Sequence, residues 1–168
     1  MIDQEMRSLV HQRGLWHRGA HVLLFTSEGE LLVQQRSKDR VHSPLALDCS
    51  VSEHVKAGED YYTAAMRGLL EEIGVEGVDI QPLVKFKMNY GPNDNEISIL
   101  YQGIVDPNTV NFDPVEIERI DYYSLLELQE LVKSKKNASY WFEQIIHWYL
   151  GNPSALEVLK KYTNPSSE

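Results

Sequence analysis

The chain has 168 residues, of which 42% are hydrophobic and 24% charged, and its formal net charge is −9. This composition is typical of an ordinary globular protein with a core, and the negative charge disfavours nucleic-acid polymers and anionic membranes as partners. No apolar run approaches the ~18 residues that span a bilayer, and the opening MIDQEMRSLV does not resemble a signal peptide.

The first predicted elements are a hairpin and a helix. The apolar runs at 21–26 and 30–36 surround a turn signal and predict two paired strands, and residues 41–52 predict a loop leading into a short strand. The stretch YYTAAMRGLLEEI, residues 61–73, has helical spacing, and Gly74 is well placed to end that helix. Its predicted apolar stripe consists of Tyr62, Ala65, Leu69 and Ile73.

The second half of the chain predicts further strands followed by helices. Apolar and polar residues alternate through 84–90 and 96–105, and residues 115–123 predict another strand or the approach to one. A capping box at Ser124 and Glu127 begins one helix, and residues 140–150 predict a last amphipathic helix. The order predicts an α+β fold, a mixed sheet covered by helices. We expect a single domain over residues 1–168, with a core at about 13–150 and a frayed tail at about 163–168.

Cysteine and basic residues each leave two interpretations. The single cysteine, Cys49, excludes an internal disulfide and fits a reducing cytosol, so we expect a cytoplasmic protein. Its thiol is either a small buried hydrophobe, which is the commoner case, or a catalytic group. The basic residues are most concentrated in RSKDR, Arg36 to Arg40, which is either a solvated loop or a grip for an anionic ligand.

Two adjacent carboxylates, Glu71 and Glu72, lie near the end of the predicted 61–73 helix. They are expected to flank a sector opposite the apolar stripe, where a hard cation such as Mg²⁺ or Mn²⁺ would find oxygen ligands. Arg67 lies one turn before Glu71 and can orient a carboxylate, and Glu59 lies just before the helix, within reach of Arg67. The alternative is an amphipathic helix with a solvated acidic face, which these residues alone favour. Gly68, inside the helix, costs roughly 1 kcal/mol relative to alanine.

The longer pattern resembles the Nudix box, G-x5-E-x7-R-E-U-x-E-E-x-G-U, in which U is aliphatic. The chain matches it without gaps at seven of nine specified positions: Glu59, Arg67, Leu69, Glu71, Glu72, Gly74 and Val75. The resemblance covers roughly Arg13 to Leu150. The flanking stretches LWHRGAHVLLF, GELLVQQRS and VSEHVKAGE look most like the subgroup related to isopentenyl-diphosphate isomerases.

This resemblance implies an α/β/α sandwich and a metal-dependent hydrolase of small substrates that contain a nucleoside diphosphate. Glu71 and Glu72 would bind Mg²⁺ or Mn²⁺, one of them also orienting the attacking water, and Arg67 would orient the carboxylates. Glu59 would lie outside the metal's ligand shell. Arg36 and Arg40 would contact phosphate.

Two positions depart from the box: its first glycine is Glu53, and the glutamate after the arginine is Gly68. The second departure removes a metal ligand, so the hydrolase activity is expected to be weakened and Gly68→Glu to raise metal affinity. Glu53 from the preceding loop, or Glu116 or Glu118, is expected to supply the missing carboxylate.

Two other functions stay open. The isomerases of the related subgroup use a cysteine, a glutamate and a histidine-rich metal site. His17 and His54 resemble two of those ligands, but Ser52 stands where the cysteine is expected and Cys49 lies three residues too early. The two histidines are alternatively structural, or lie just outside the ligand shell of the metal. The remaining alternative is an impaired Nudix domain that binds a nucleotide or a protein. Substrate identity stays open, and a homodimer is expected only because homodimers are common.

Overall fold

The computed structural model describes residues 16–89, 95–134 and 137–162. Its strands and helices are bounded as follows: β1 Trp16–Phe25, β2 Leu31–Arg36, β3 Leu47–Asp48, β4 Val51–His54, α1 Tyr61–Ile73, β5 Ile80–Asn89, β6 Asn95–Ile104, β7 Ile117–Tyr123, α2 Leu125–Ser134, α3 Tyr140–Tyr149 and β8 Glu157–Lys161. A short 3-10 turn, Pro107–Thr109, follows β6. Among the described residues, no helix is both long and apolar enough to cross a lipid bilayer.

The strands form one mixed sheet in which β1 is central. Its main path runs β3-β2-β1-β6-β5-β8, with β4 paired to β1 and β7 paired to β2. β1 runs parallel to β6 along its whole length, from Trp16 opposite Asn95 to Phe25 opposite Ile104. The other pairings, including β1 with β4, are antiparallel. The predicted α+β class with a mixed sheet is therefore confirmed.

Helices cover both faces of this sheet, which gives the predicted sandwich. Ala20 and Val22 of β1 pack in one core with α1, and we call this side the α1 face. Leu23 of β1 packs in a second core with α2 and α3, on the α2–α3 face. Because side chains alternate along a strand, even-numbered β1 residues point to the α1 face and odd-numbered ones to the α2–α3 face.

The box helix α1 covers the predicted residues and ends at the predicted Gly74. The Asp60 side chain accepts a hydrogen bond from the Thr63 N–H, and Gly74 adopts a left-handed conformation at φ 66°. The predicted stripe is only partly right, because Ala65, Leu69 and Ile73 are buried whereas Tyr62 is 47% exposed. Ala64 and Gly68 are buried instead. The helix therefore turns the Gly68 side toward the sheet.

Other differences lie where pairing is made by the backbone alone. β8 was not predicted, because its sequence EVLKK is exposed at all five positions and shows no buried alternation. It pairs with β5 through main-chain hydrogen bonds.

The capping box at the start of α2 is confirmed, since the Glu127 N–H donates to Ser124 Oγ and the Ser124 N–H to Glu127 Oε1. The predicted tail at 163–168 lies outside the described residues.

Candidate functional site

Arg67 lies at the centre of the acidic residues around α1. Its Nε and Nη2 donate to Glu59 at 3.0 and 2.9 Å, and Nη2 also donates to the His54 carbonyl at 2.9 Å. Its Nη1 lies 3.4 Å from Glu53 Oε1 and 3.7 Å from Glu71 Oε1. One guanidinium therefore gathers three carboxylates and ties α1 to β4.

Glu59 is the strongest partner of this arginine. The hydrogen bonds from Arg67 lower the pKa of Glu59 to about 2, and the same pairing raises the pKa of Arg67. Glu59 Oε1 also accepts from the Lys56 N–H at 2.9 Å. Because both oxygens of Glu59 are used in this way, its contacts fit a group that fixes Arg67 and the box loop.

Glu72 lies deeper than its neighbour Glu71. Gln34 of β2 donates to Glu72 Oε1 at 3.0 Å, whereas the Glu71 side chain is 54% exposed. Burial, and then the negative charge of Glu53, raises the pKa of the Glu72 carboxyl well above its ordinary value. Two carboxylates held so close repel each other, and a divalent cation is a ligand that removes this repulsion.

Gly68 lies beside Glu53 and Glu72. A Cβ placed on Gly68 would lie 3.5 Å from Glu72 Oε2 and 3.4 Å from Glu53 Cβ, so the glycine allows α1 to lie close to both side chains. We call Glu53, Glu71 and Glu72 the carboxylate cluster. The sequence interpretation put Glu71 and Glu72 around a sector opposite the apolar stripe. Instead, Glu72 borders the buried face, because Gly68 lets α1 approach β4 closely.

Among the described residues, the three carboxylates do not bring their ligand atoms all within 4.8 Å of one another, whereas a set that we call the histidine cluster does: His17, His54 and Glu96. One ligand atom from each lies within 4.8 Å of the others, and His17 Nε2 is 3.2 Å from Glu96 Oε2. Imidazole and carboxylate are together suitable ligands for several divalent transition metals. In the strand register, His54 opposes Gly19 and His17 opposes Glu96. The cluster is therefore on the α2–α3 face, behind the carboxylate cluster.

Glu96 is held by further polar neighbours. His21 Nε2 lies 3.1 Å from Glu96 Oε1, and His21 Nδ1 lies 2.8 Å from Ser52 Oγ. Burial alone would raise the pKa of Glu96, but hydrogen bonds from His17, His21 and Ser98 outweigh it and hold that pKa well below its usual range. The sequence interpretation missed Glu96, because only the pairing of β1 with β6 brings it to His17.

The two arginines predicted to contact phosphate are engaged within the protein. Arg36 is buried; its Nη1 donates to Asp48 Oδ2 at 3.1 Å, and its Nε and Nη2 donate to the His42 carbonyl. Arg40 forms an ion pair with Glu116. A phosphate role for Arg36 or Arg40 would therefore require these partners to be exchanged, and it stays a prediction.

The remaining predicted groups differ in exposure. Glu118 is exposed on β7, and Glu116 is half-exposed beside its arginine partner. Cys49 is fully buried in the core of the α2–α3 face, where burial and then the charge of Asp48 raise the pKa of its thiol. Its environment is that of a small buried hydrophobe. Ser52, at the position expected for the isomerase cysteine, contacts His21.

The fold and the site together indicate one class of protein: an α+β sandwich in which an acidic helix packs against the sheet. Residues 15–149 match the family model of the NUDIX domain, and the chain is a member of the Nudix family. The predicted resemblance is thereby confirmed.

Similar proteins carry two kinds of name. The chain is 28% identical to the isopentenyl-diphosphate Delta-isomerase of Pectobacterium atrosepticum, over 79% of this chain and 76% of that protein. It is 42% identical to a Nudix hydrolase of Pseudomonas aeruginosa, over 41% of each chain. The structure is similar to that of DR0079 from Deinococcus radiodurans, with a TM-score of 0.71 and 25% identity over 79% of this chain and 82% of that one.

Proposed function

We propose that the chain is a divalent-metal-dependent Nudix hydrolase that cleaves the diphosphate bond of a small nucleoside-diphosphate-type substrate. The observation that carries this proposal is the carboxylate cluster beside Arg67, on the box helix and the strand it packs against. In the reaction, water attacks a phosphorus atom, the bridging P–O bond breaks, and the leaving phosphate oxygen takes the bonding electrons.

The carboxylate cluster would hold Mg²⁺ or Mn²⁺, because hard cations prefer oxygen ligands. A cation bound there would offset the negative charge of the diphosphate, which is the main requirement of phosphoryl transfer. Arg67 fixes Glu53 and Glu71 by ion pairing, and Gln34 fixes Glu72 through Oε1. With one oxygen already fixed, Glu72 is the better placed of the two helix glutamates to orient the attacking water and accept its proton.

A substrate panel tests this function. The purified protein is incubated with Mg²⁺ or Mn²⁺ and with nucleoside di- and triphosphates, nucleotide sugars and dinucleotides, and phosphate release is measured. We expect Glu72→Gln to lower kcat by about 100-fold or more, as does loss of other groups that stabilise the reacting charge. Glu76→Gln, an exposed acidic residue just after α1, is the matched control and should stay within about twofold. Equal rates for both variants would refute the role of the cluster.

Isopentenyl-diphosphate isomerase is a second candidate, which the histidine cluster and the relatives with that name support. The test adds isopentenyl diphosphate to the panel and follows its double-bond isomer by NMR. If the isomerase proposal is right, His17→Asn abolishes isomer formation while the wild-type protein shows it. If the hydrolase proposal is right, Glu72→Gln loses phosphate release and His17→Asn keeps it.

A binding module is the third candidate and is supported only by the glycine in the box. Tight binding of one nucleotide without turnover of any substrate would favour it over both enzymes. Sedimentation equilibrium of the same preparation would test the expected homodimer.

A further inference from the structure

The two departures from the Nudix box, Glu53 and Gly68, meet in space. β4 carries Glu53 toward the α1 face, because Glu53 opposes Ala20 in the register of β1. Gly68 is on the side of α1 that faces β4, and a Cβ on it would lie 3.4 Å from Glu53 Cβ. Positions far apart in the pattern are therefore direct neighbours in the fold.

This contact has room for the Glu53 side chain but not for a side chain on Gly68. A Cβ on Gly68 would lie 2.6 Å from Val51 Cγ1, a distance that requires one of the two groups to move. Val51 is fully buried and β-branched, so it has few other rotamers to adopt. A longer side chain at position 68 would also have to share the space between Glu53 and Glu72.

We propose that Glu53 and Gly68 have exchanged the glycine and the glutamate of the box, so that Glu53 supplies from β4 the carboxylate which α1 lacks. This inference rests on the proposed metal site. The exchange keeps the number of carboxylates beside Arg67 unchanged, because Glu53 Oε1 is 3.4 Å from Arg67 Nη1 and its charge acts directly on Glu72. The site then keeps the same number of carboxylate ligands, but one of them comes from β4 instead of α1.

The other predicted donors are less suitable for this role. Glu116 is paired with Arg40, which would have to be released first, and Glu118 is exposed on β7. Glu53 is also paired with an arginine, Arg67, but its side chain is only 22% exposed and already adjoins Glu72. Among the three donors, the structure therefore selects Glu53.

A ligand from β4 has a consequence that a ligand from α1 would not have. A cation held by Glu53 and Glu72 would join the strand to the helix, whereas two ligands on α1 would join only neighbouring turns. Cation binding should therefore protect the main-chain amides of β4 from hydrogen exchange, in addition to those of α1.

Mn²⁺ binding, measured by electron paramagnetic resonance of the free ion, tests the exchange without any substrate. We expect Glu53→Gln to weaken Mn²⁺ binding by about tenfold or more, the scale for loss of a group that supports a metal site. Glu116→Gln and Glu118→Gln are matched controls that should change it by less than about twofold. Gly68→Glu alone was predicted from the sequence to raise metal affinity. We now expect no improvement, because even the Cβ of the new side chain would lie 2.6 Å from Val51 Cγ1. The combined variant Val51→Ala, Glu53→Gly and Gly68→Glu, which also removes the Val51 Cγ1 that a Cβ at position 68 would meet at 2.6 Å, should recover most of the affinity lost in Glu53→Gln.

Several results would overturn the exchange: no Mn²⁺ binding by the wild-type protein, unchanged binding by Glu53→Gln, or a larger loss in Glu116→Gln or Glu118→Gln. Circular dichroism in EDTA checks that each variant is folded, and Glu53→Gln decides alone if the combined variant does not fold. The outcome is separable from that of the proposed function. Mn²⁺ binding that depends on Glu53, without any hydrolysis, would support the exchange and refute the hydrolase. Hydrolysis by the wild-type protein, together with normal Mn²⁺ binding by Glu53→Gln, would support the hydrolase and refute the exchange.

Discussion

The ion pair between Glu59 and Arg67 should make the stability of the protein depend on pH. Arg67 lowers the pKa of Glu59 from 4.5 to about 2, and the Glu59 side chain is 13% exposed. A shift of this size corresponds to about 3 kcal/mol of unfolding free energy, which solvent screening near the surface reduces to about 2 kcal/mol. Because the folded-state pKa is the lower one, this contribution is present above pH 4.5 and is lost as the pH falls toward 2.

Glu59→Gln measures that contribution directly. Urea unfolding in EDTA at pH 7 should show a loss of about 2 kcal/mol for the variant, and the difference from the wild type should shrink at pH 3. Glu157→Gln is the matched control, because Glu157 pairs with Lys87 at 3.2 Å but is 64% exposed. A surface pair of that kind contributes about 0 to 1 kcal/mol. The reasoning is refuted if both variants lose the same stability, or if the loss in Glu59→Gln is the same at pH 3 and pH 7.

Three other substitutions or probes test the packing. Gly74→Ala should lower the free energy of unfolding in urea by about 3 kcal/mol, because φ is 66° and a carbonyl oxygen lies 2.5 Å from the new Cβ. Gly77→Ala is the control: its φ is 70°, but no described heavy atom lies within 4 Å of the new Cβ, so the loss should be only about 1 kcal/mol. Cys49 should react with a thiol reagent only at the rate of opening, and labelling within seconds in native buffer would contradict its burial. Trp141→Phe removes the 2.7 Å hydrogen bond to the Asp48 carboxylate and should cost about 2 kcal/mol, with no change expected if solvent already competes for that bond.

The features that could be predicted from the sequence are those that depend on residues close together along the chain. The ends of α1 and the capping box of α2 depend on residues within a few positions of each other, and both are present. The approach of Glu96 to His17 depends on the parallel pairing of β1 with β6, which no local pattern specifies. The burial of Gly68 likewise depends on how closely α1 packs on β4. The match to the Nudix box therefore identified the acidic helix, but only the packing of α1 on β4 explains why position 68 is a glycine.

The carboxylate cluster and the histidine cluster lie on opposite faces of the sheet, and β4 contributes a residue to each of them. Glu53 and His54 are consecutive, so their side chains point to opposite faces and each cluster can be changed separately. Arg67 is the exception, because it pairs with Glu53 and also donates to the His54 carbonyl. Arg67→Gln should therefore weaken Mn²⁺ binding at the carboxylate cluster and shift the ring resonances of His54 in NMR spectra. Glu76→Gln, which changes an exposed acidic residue just after α1, is the control. Unshifted His54 resonances in Arg67→Gln would show that the main chain of β4 does not transmit changes between the two faces.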